Sequence, residues 1–169
     1  MNSKLAVLAV FALSVGLISN AYAHKEQVVG IYAIEAGWTK KSAVVGKSNS
    51  IEVVVTTASM SDKAASDKMM KEMKGMTGEQ MANMDHSKMS GSGTAKTGIT
   101  GLKLNADITI DGKKTMLKLV EDKKTKGKYS AAFTPKGDGY PTIHIVGKIK
   151  NTPVEVSFHP EKIEKPTKK

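Results

Sequence analysis

Short runs in which apolar and polar residues alternate occupy most of this chain. "VVGIYAIEAGW" (28–38) and "SIEVVVTTA" (50–58) come first, joined by a polar stretch containing Gly46 and Asn49. "LKLNADITI" (102–110) and "TMLKLV" (115–120) flank Asp111-Gly112, a two-residue hairpin signal. "KYSAAFT" (128–134) follows a lysine-rich loop, and Pro135, Gly137, Asp138 and Gly139 mark a turn before "PTIHIVGKI" (141–149). "PVEVSF" (153–158) is the last run. Period-2 runs of this length, separated by turn residues, predict an all-β protein: an immunoglobulin-like antiparallel β-sandwich of about seven strands. Tyr32, Trp38, Phe133 and Phe158 are its expected large core residues.

The alternation stops at Ser59 and resumes near Gly98. Ser61 is placed to cap a helix over 62–74 that stops at Gly75, and Thr77 followed by Gln80 has the spacing of a capping box for a shorter helix. "SGSGTAKTG" (90–98) has the composition of a flexible linker. Residues 59–97 therefore read as an insertion in the sandwich, partly helical or disordered.

The ends set the compartment. "MNSK", a fifteen-residue apolar run and "AYA" make residues 1–23 a secretory signal, with cleavage expected after Ala23. The run is short for a membrane span, which needs about 20 residues, although an uncleaved signal would anchor the chain. The expected organisation is a β-sandwich over 24–160, interrupted by the insertion, then a lysine-rich tail over 161–169. An exported location, periplasmic or on the outer face of the envelope, follows. The chain has no cysteine, so soft-metal chemistry must use thioether sulfur. Its 26 basic residues are all lysine, against 16 acidic ones, for a formal charge of +10. Bidentate reading of guanine or phosphate favours arginine, so no nucleic-acid partner is expected.

Composition singles out the insertion. Between Ser59 and Gly98 there is no Leu, Ile, Val, Phe, Tyr or Trp, yet eight of the ten methionines lie there. Met69, Met73 and Met76 fall at i, i+4 and i+7, and Met81 and Met84 at i, i+3, spacings that line one face of a helix. A helix packing on a sandwich normally uses Leu and Ile; methionine alone suits either a soft-metal ligand or an adaptable docking surface. "MDHSKM" (84–89) sets His86 between two thioethers. Thioethers prefer Cu(I) and imidazole suits copper in both oxidation states. Met69, Met73, Met76, Met81, Met84, His86 and Met89 are the candidate Cu(I) ligands.

A second candidate site involves the remaining histidines. Ile143, Ile145 and Ile149 share one strand face, so His144 points the other way, as Glu155 and His159 do relative to Val154, Val156 and Phe158. If the two strands pair, His144 lies opposite or diagonal to His159, within cross-strand reach. Cleavage after Ala23 would make His24 the terminal residue, whose amine and imidazole together chelate Cu(II). His24, His144 and His159 form this second candidate set.

"VVGKSNSIEVVV" (44–55), "ITGLKLNADITI" (99–110) and "GKYSAAFTPKGDGYPTIHIVG" (127–147) together resemble the YtkA-like family of exported β-sandwich proteins, over most of residues 37–158 outside the insertion. The resemblance implies the sandwich fold and an accessory role in envelope copper handling or oxidase assembly, with an envelope copper protein or oxidase as partner. A looser likeness, carried by Met84, His86, Met89 and a His24 start, is to the periplasmic copper-resistance β-sandwiches. No G-x-S-x-G elbow, H-E-x-x-H or glycine-rich phosphate loop is present, so no enzyme and no catalytic substrate are expected. The expectation is a copper-binding protein for delivery, storage or tolerance. Its rival is an interaction module whose methionines dock on a partner protein or membrane surface.

Overall fold

The computed structural model describes residues 25–72, 74–77, 79–80 and 96–167. Among them, nine strands form two antiparallel sheets. The strands are β1 (Lys25–Val29), β2 (Tyr32–Trp38), β3 (Asn49–Thr57), β4 (Leu104–Ile110), β5 (Lys113–Leu117), β6 (Val120–Glu121), β7 (Lys128–Phe133), β8 (Thr142–Ile149) and β9 (Thr152–Phe158). One sheet runs β1-β2-β3-β7-β6 and the other β5-β4-β8-β9. Setting β1 aside, these orders match the A-B-E-D and C′-C-F-G arrangement of immunoglobulin sandwiches.

Alternation builds the core. Ile34, Ile51, Val53, Ile108, Ile143 and Ile145 are wholly buried, and Trp38 and Phe158 are 1% exposed. Burying each such side chain contributes roughly 1.5–3 kcal/mol, and polar residues between them take the outer faces. Phe133 sits half-buried at the edge, its ring centroid 6.1 Å from that of Trp38.

Two strands differ from the sequence reading. The run 28–38 is a hairpin and not one strand, because Gly30 takes a left-handed φ of 61° and turns β1 back on β2. The run 115–120 divides after Leu117: β5 pairs with β4 and β6 with β7, so the chain changes sheets there. Asp111-Gly112 turns β4 into β5 with φ of 47° and 73°.

The insertion leaves and returns at one place. Beyond β3, Ala58 N–H donates to Ile31 C=O at 2.8 Å, and helix α1 spans Met60–Glu72. Its cap is Ser59, two residues before the Ser61 expected from sequence. Ser59 Oγ accepts Asp62 N–H at 3.1 Å, and the Asp62 carboxylate accepts Ser59 N–H at 2.7 Å. A carboxylate three residues past the cap serves as the glutamate of a capping box would. The Thr77–Gln80 box forms as its spacing indicates: Gln80 Oε1 accepts Thr77 N–H at 2.8 Å and Thr77 Oγ1 accepts Gln80 N–H at 3.3 Å.

Gly98 then rejoins the sheet through a bridge to Thr56. Only glycine fits there, since a Cβ on Gly98 would lie 2.0 Å from Lys126 O and one on Gly127 2.4 Å from Val55 O. Tyr129 ties the returning chain down: its hydroxyl donates to Ile99 C=O at 2.9 Å and accepts Leu102 N–H at 3.2 Å.

The packed fold continues beyond residue 160, into the expected tail. Ile163 is wholly buried, Glu164 exchanges backbone hydrogen bonds with Ala43 and Val45, and Trp38 Nε1–H donates to Glu161 C=O at 3.0 Å. The expected signal over 1–23 lies outside the described residues.

Candidate metal centre

Of the insertion's candidate ligands, Met69 occupies a position in α1, and Met76 lies half-buried between α1 and the Thr77 cap. Met73, Met81, Met84, His86 and Met89 lie outside the described residues, as does His24. Among the described side chains of α1 only Asp62 is buried, while Met60 is 83% exposed.

Charge ties the insertion to the sandwich. Lys96, where the described chain resumes, bonds Glu26 directly and stands 3.7 Å from Glu35 Oε1 and 3.6 Å from Asp62 Oδ1. Glu26 and Glu35 face each other across β1 and β2. Burial, with Glu35 adding to it and Lys96 opposing, pushes the Glu26 carboxyl from 4.5 up to about 7. Burial alone would lower Lys96, but the bond to Glu26 and the charges of Glu26, Glu35 and Asp62 outweigh it and raise its pKa. Asp62 is held below its ordinary value: burial opposes this, and hydrogen bonds at Ser59 together with Lys96 prevail. At the opposite end of the described insertion, Tyr140 O–H donates to Glu79 Oε1 at 2.9 Å.

The outer face of the four-stranded sheet holds the other candidates. His144 pairs with Ser157 and Ile143 with Phe158, so His159 stands across from Thr142 and diagonal to His144. Each ring has its own neighbours. His159 Nδ1 shares a hydrogen bond of 3.2 Å with Thr142 Oγ1. His144 lies between two carboxylates, with Nδ1 3.4 Å from Asp107 Oδ2 and Nε2 3.5 Å from Glu155 Oε1. Asp107 also receives Lys114 Nζ at 3.2 Å. Its side chain is 7% exposed, and Oδ1 has no hydrogen-bond partner among the described residues. The start of β1 runs beside this sheet, where the Gln27 amide donates to Ser157 C=O.

Sequence reasoning found His144 and His159 but missed Asp107, the most buried charged group on this face. The signal was a lone carboxylate inside the alternating run "LKLNADITI"; which residues flank it depends on register, which no local pattern supplies. Among the described residues, no three His, Asp or Glu side chains form a metal-holding group. The chain matches no family model and no curated protein. The class that stands on the geometry is an antiparallel β-sandwich carrying a methionine-rich insertion.

Proposed function

We infer that the protein is an exported copper binder that takes Cu(I) through the methionine insertion, for delivery, storage or tolerance, and Cu(II) at a histidine site on the sandwich. One observation carries this reading: the insertion draws its large apolar side chains from methionine alone. Several weak thioether bonds are needed to hold one Cu(I), and a tract of eight methionines around His86 supplies them. Thioethers carry no proton, so such ligation survives in an acidic exterior. Among the described side chains of α1 only Asp62 is buried, and Met60, the one methionine among them, is 83% exposed, which agrees with a segment that does not serve the core. The YtkA-like resemblance agrees with an envelope copper protein or oxidase as partner.

The test replaces Met69, Met73, Met76, Met81, Met84 and Met89 together by Leu, in competition with a chromogenic Cu(I) chelator. Loss of most Cu(I) uptake is expected, because leucine keeps volume and apolarity while removing sulfur. The strong exposure of Met60 also suits docking on a partner protein or membrane surface. Docking would survive the same replacement, since volume-conserving swaps usually cost under ~1.5 kcal/mol each. Full Cu(I) stoichiometry in the six-leucine chain would overturn the copper reading.

A further inference from the structure

We propose that the outer face of the β5-β4-β8-β9 sheet carries a Cu(II) site built on Asp107 and His144, with Met116 as a soft third donor. Copper is taken from the reading above; the site itself is a different ligand set from the methionine tract and from a set resting on His24 and His159.

Three features of this face point to a cation. The first is the donor inventory of His144. A neutral imidazole offers one N–H and one lone pair, yet a carboxylate stands at each nitrogen. With Nε2–H turned to Glu155, whose side chain is 78% exposed, the Nδ1 lone pair faces the Asp107 carboxylate, an arrangement relieved by positive charge between them, either a second ring proton or a metal ion. With the metal ion, Glu155 plays the part that carboxylates commonly play behind a ligating histidine, fixing the tautomer and ring orientation.

The second feature is Asp107 itself. A carboxylate in a central strand, 5% exposed and with Oδ1 unpartnered among the described residues, is costly to bury. Lys114 reaches it from the edge strand, but that side chain is 60% exposed, a flexible ammonium that a metal can displace. The Nδ1–Oδ2 separation of 3.4 Å is long for a hydrogen bond. It is compatible with two ligands of one metal: at metal–ligand lengths of about 2.0–2.2 Å it subtends about 110°, wider than the right angle between neighbouring ligands of a tetragonal Cu(II) ion.

The third feature is register. Met116 pairs directly with Asp107, so Met116, Asp107, His144 and Ser157 form one row across the same sheet face. Met116 is 65% exposed, one of only two methionines outside the insertion. Imidazole, carboxylate and thioether together favour copper, and the divalent series places Cu(II) above Zn(II).

The experiment titrates the purified chain with Cu2+ alone, followed by electron paramagnetic resonance and calorimetry. One coupled imidazole nitrogen is expected. His144→Ala and Asp107→Asn should each weaken binding by at least about ten-fold, Met116→Leu should alter the spectrum with a smaller loss, and His159→Ala should change neither. Lys114→Ala separates a metal site from a structural ion pair: freed of a competing cation, it should bind Cu(II) several-fold more tightly. Variants are compared only after each shows a cooperative melt; Asp107→Asn keeps the shape of the side chain, and Lys114→Ala leaves both ligands in place should it fail to fold. Undiminished Cu(II) affinity in His144→Ala or Asp107→Asn overturns the proposal, as does weaker binding in Lys114→Ala or equal dependence on His159. The six-leucine chain alters neither Asp107, His144 nor Met116. Failure of its Cu(I) result therefore sinks the tract and leaves this site standing, and failure here leaves the tract.

Discussion

Replacing Lys96 by Met removes the ammonium that, among the described residues, stands between Glu26, Glu35 and Asp62, and the consequence depends on pH in a defined direction. Glu26 is the titrating member. Its folded pKa of about 7 exceeds its ordinary 4.5, so between those values the folded state holds a proton that the unfolded chain has released. Stability therefore falls as pH rises through this window and is level above it. A rise from 4.5 to about 7 corresponds to about 3 kcal/mol, already moderated by Lys96. The side chains are 22% exposed for Lys96, 17% for Glu26, 29% for Glu35 and 0% for Asp62, so solvent screens the cluster only partly.

Breaking a buried pair costs roughly 3–5 kcal/mol and an exposed one roughly 0–1; this cluster lies between. Lys96→Met should cost about 2–3 kcal/mol at pH 8, above the folded pKa of Glu26, where the intact protein pairs a Glu26 carboxylate with the ammonium. At pH 5, where Glu26 keeps its proton in either protein, the cost should shrink to about 1 kcal/mol, owed mainly to Asp62. Urea unfolding followed by far-ultraviolet circular dichroism at the two pH values measures both. Equal losses at pH 5 and pH 8 would refute the assignment of Lys96 as the counter-ion of Glu26.

Two further outcomes test the frame. Tyr129→Phe should cost about 1–3 kcal/mol in urea unfolding, because it strands both Ile99 C=O and Leu102 N–H where the insertion rejoins the sandwich. Excising residues 60–95 and joining Ser59 to Lys96 through a short Gly-Ser linker should leave a cooperative β-type transition, since a loop whose ends are adjacent changes length at small entropic cost; loss of that transition would mean that the insertion belongs to the core.

The sandwich was legible because its inner faces obey a period of two over nearly every strand. Ile143, Ile145 and Phe158 announce their burial without help from the rest of the chain. What escaped was decided by single backbone dihedrals or by register. Gly30 turns a run of eleven residues into a hairpin through one positive φ, and the helix cap fell on Ser59 because Asp62 could reciprocate. The diagonal of His144 and His159 followed from alternation alone, as both belong to one hairpin. Asp107 and Met116 come from two other strands, and their place beside His144 required knowing that β4 lies between β5 and β8. Lys96 meets Glu26 across seventy positions of sequence, a contact that no local pattern encodes.

The two proposed copper sites should also differ in how they couple to folding. A ligand that binds only the folded state stabilises it by RT ln(1 + [L]/Kd), about 2.7 kcal/mol at a hundred-fold excess over Kd. Asp107 and His144 lie on neighbouring strands and meet only when β4 pairs with β8, so the unfolded chain cannot offer this pair. The methionine tract is contiguous in sequence, from Met69 to Met89, so its assembly around an ion does not require distant strands to pair. Cu(II) should therefore raise the Tm of the chain by several degrees, and Asp107→Asn should abolish the rise. Cu(I), bound at equal excess under anaerobic reduction, should leave Tm nearly unchanged while remaining bound to the heat-unfolded chain. Calorimetric scans of the apo, Cu(II) and Cu(I) forms decide the matter. A Cu(I)-induced rise as large as that from Cu(II) would show that the tract binds through the folded sandwich, and the separation of the two sites would fall with it.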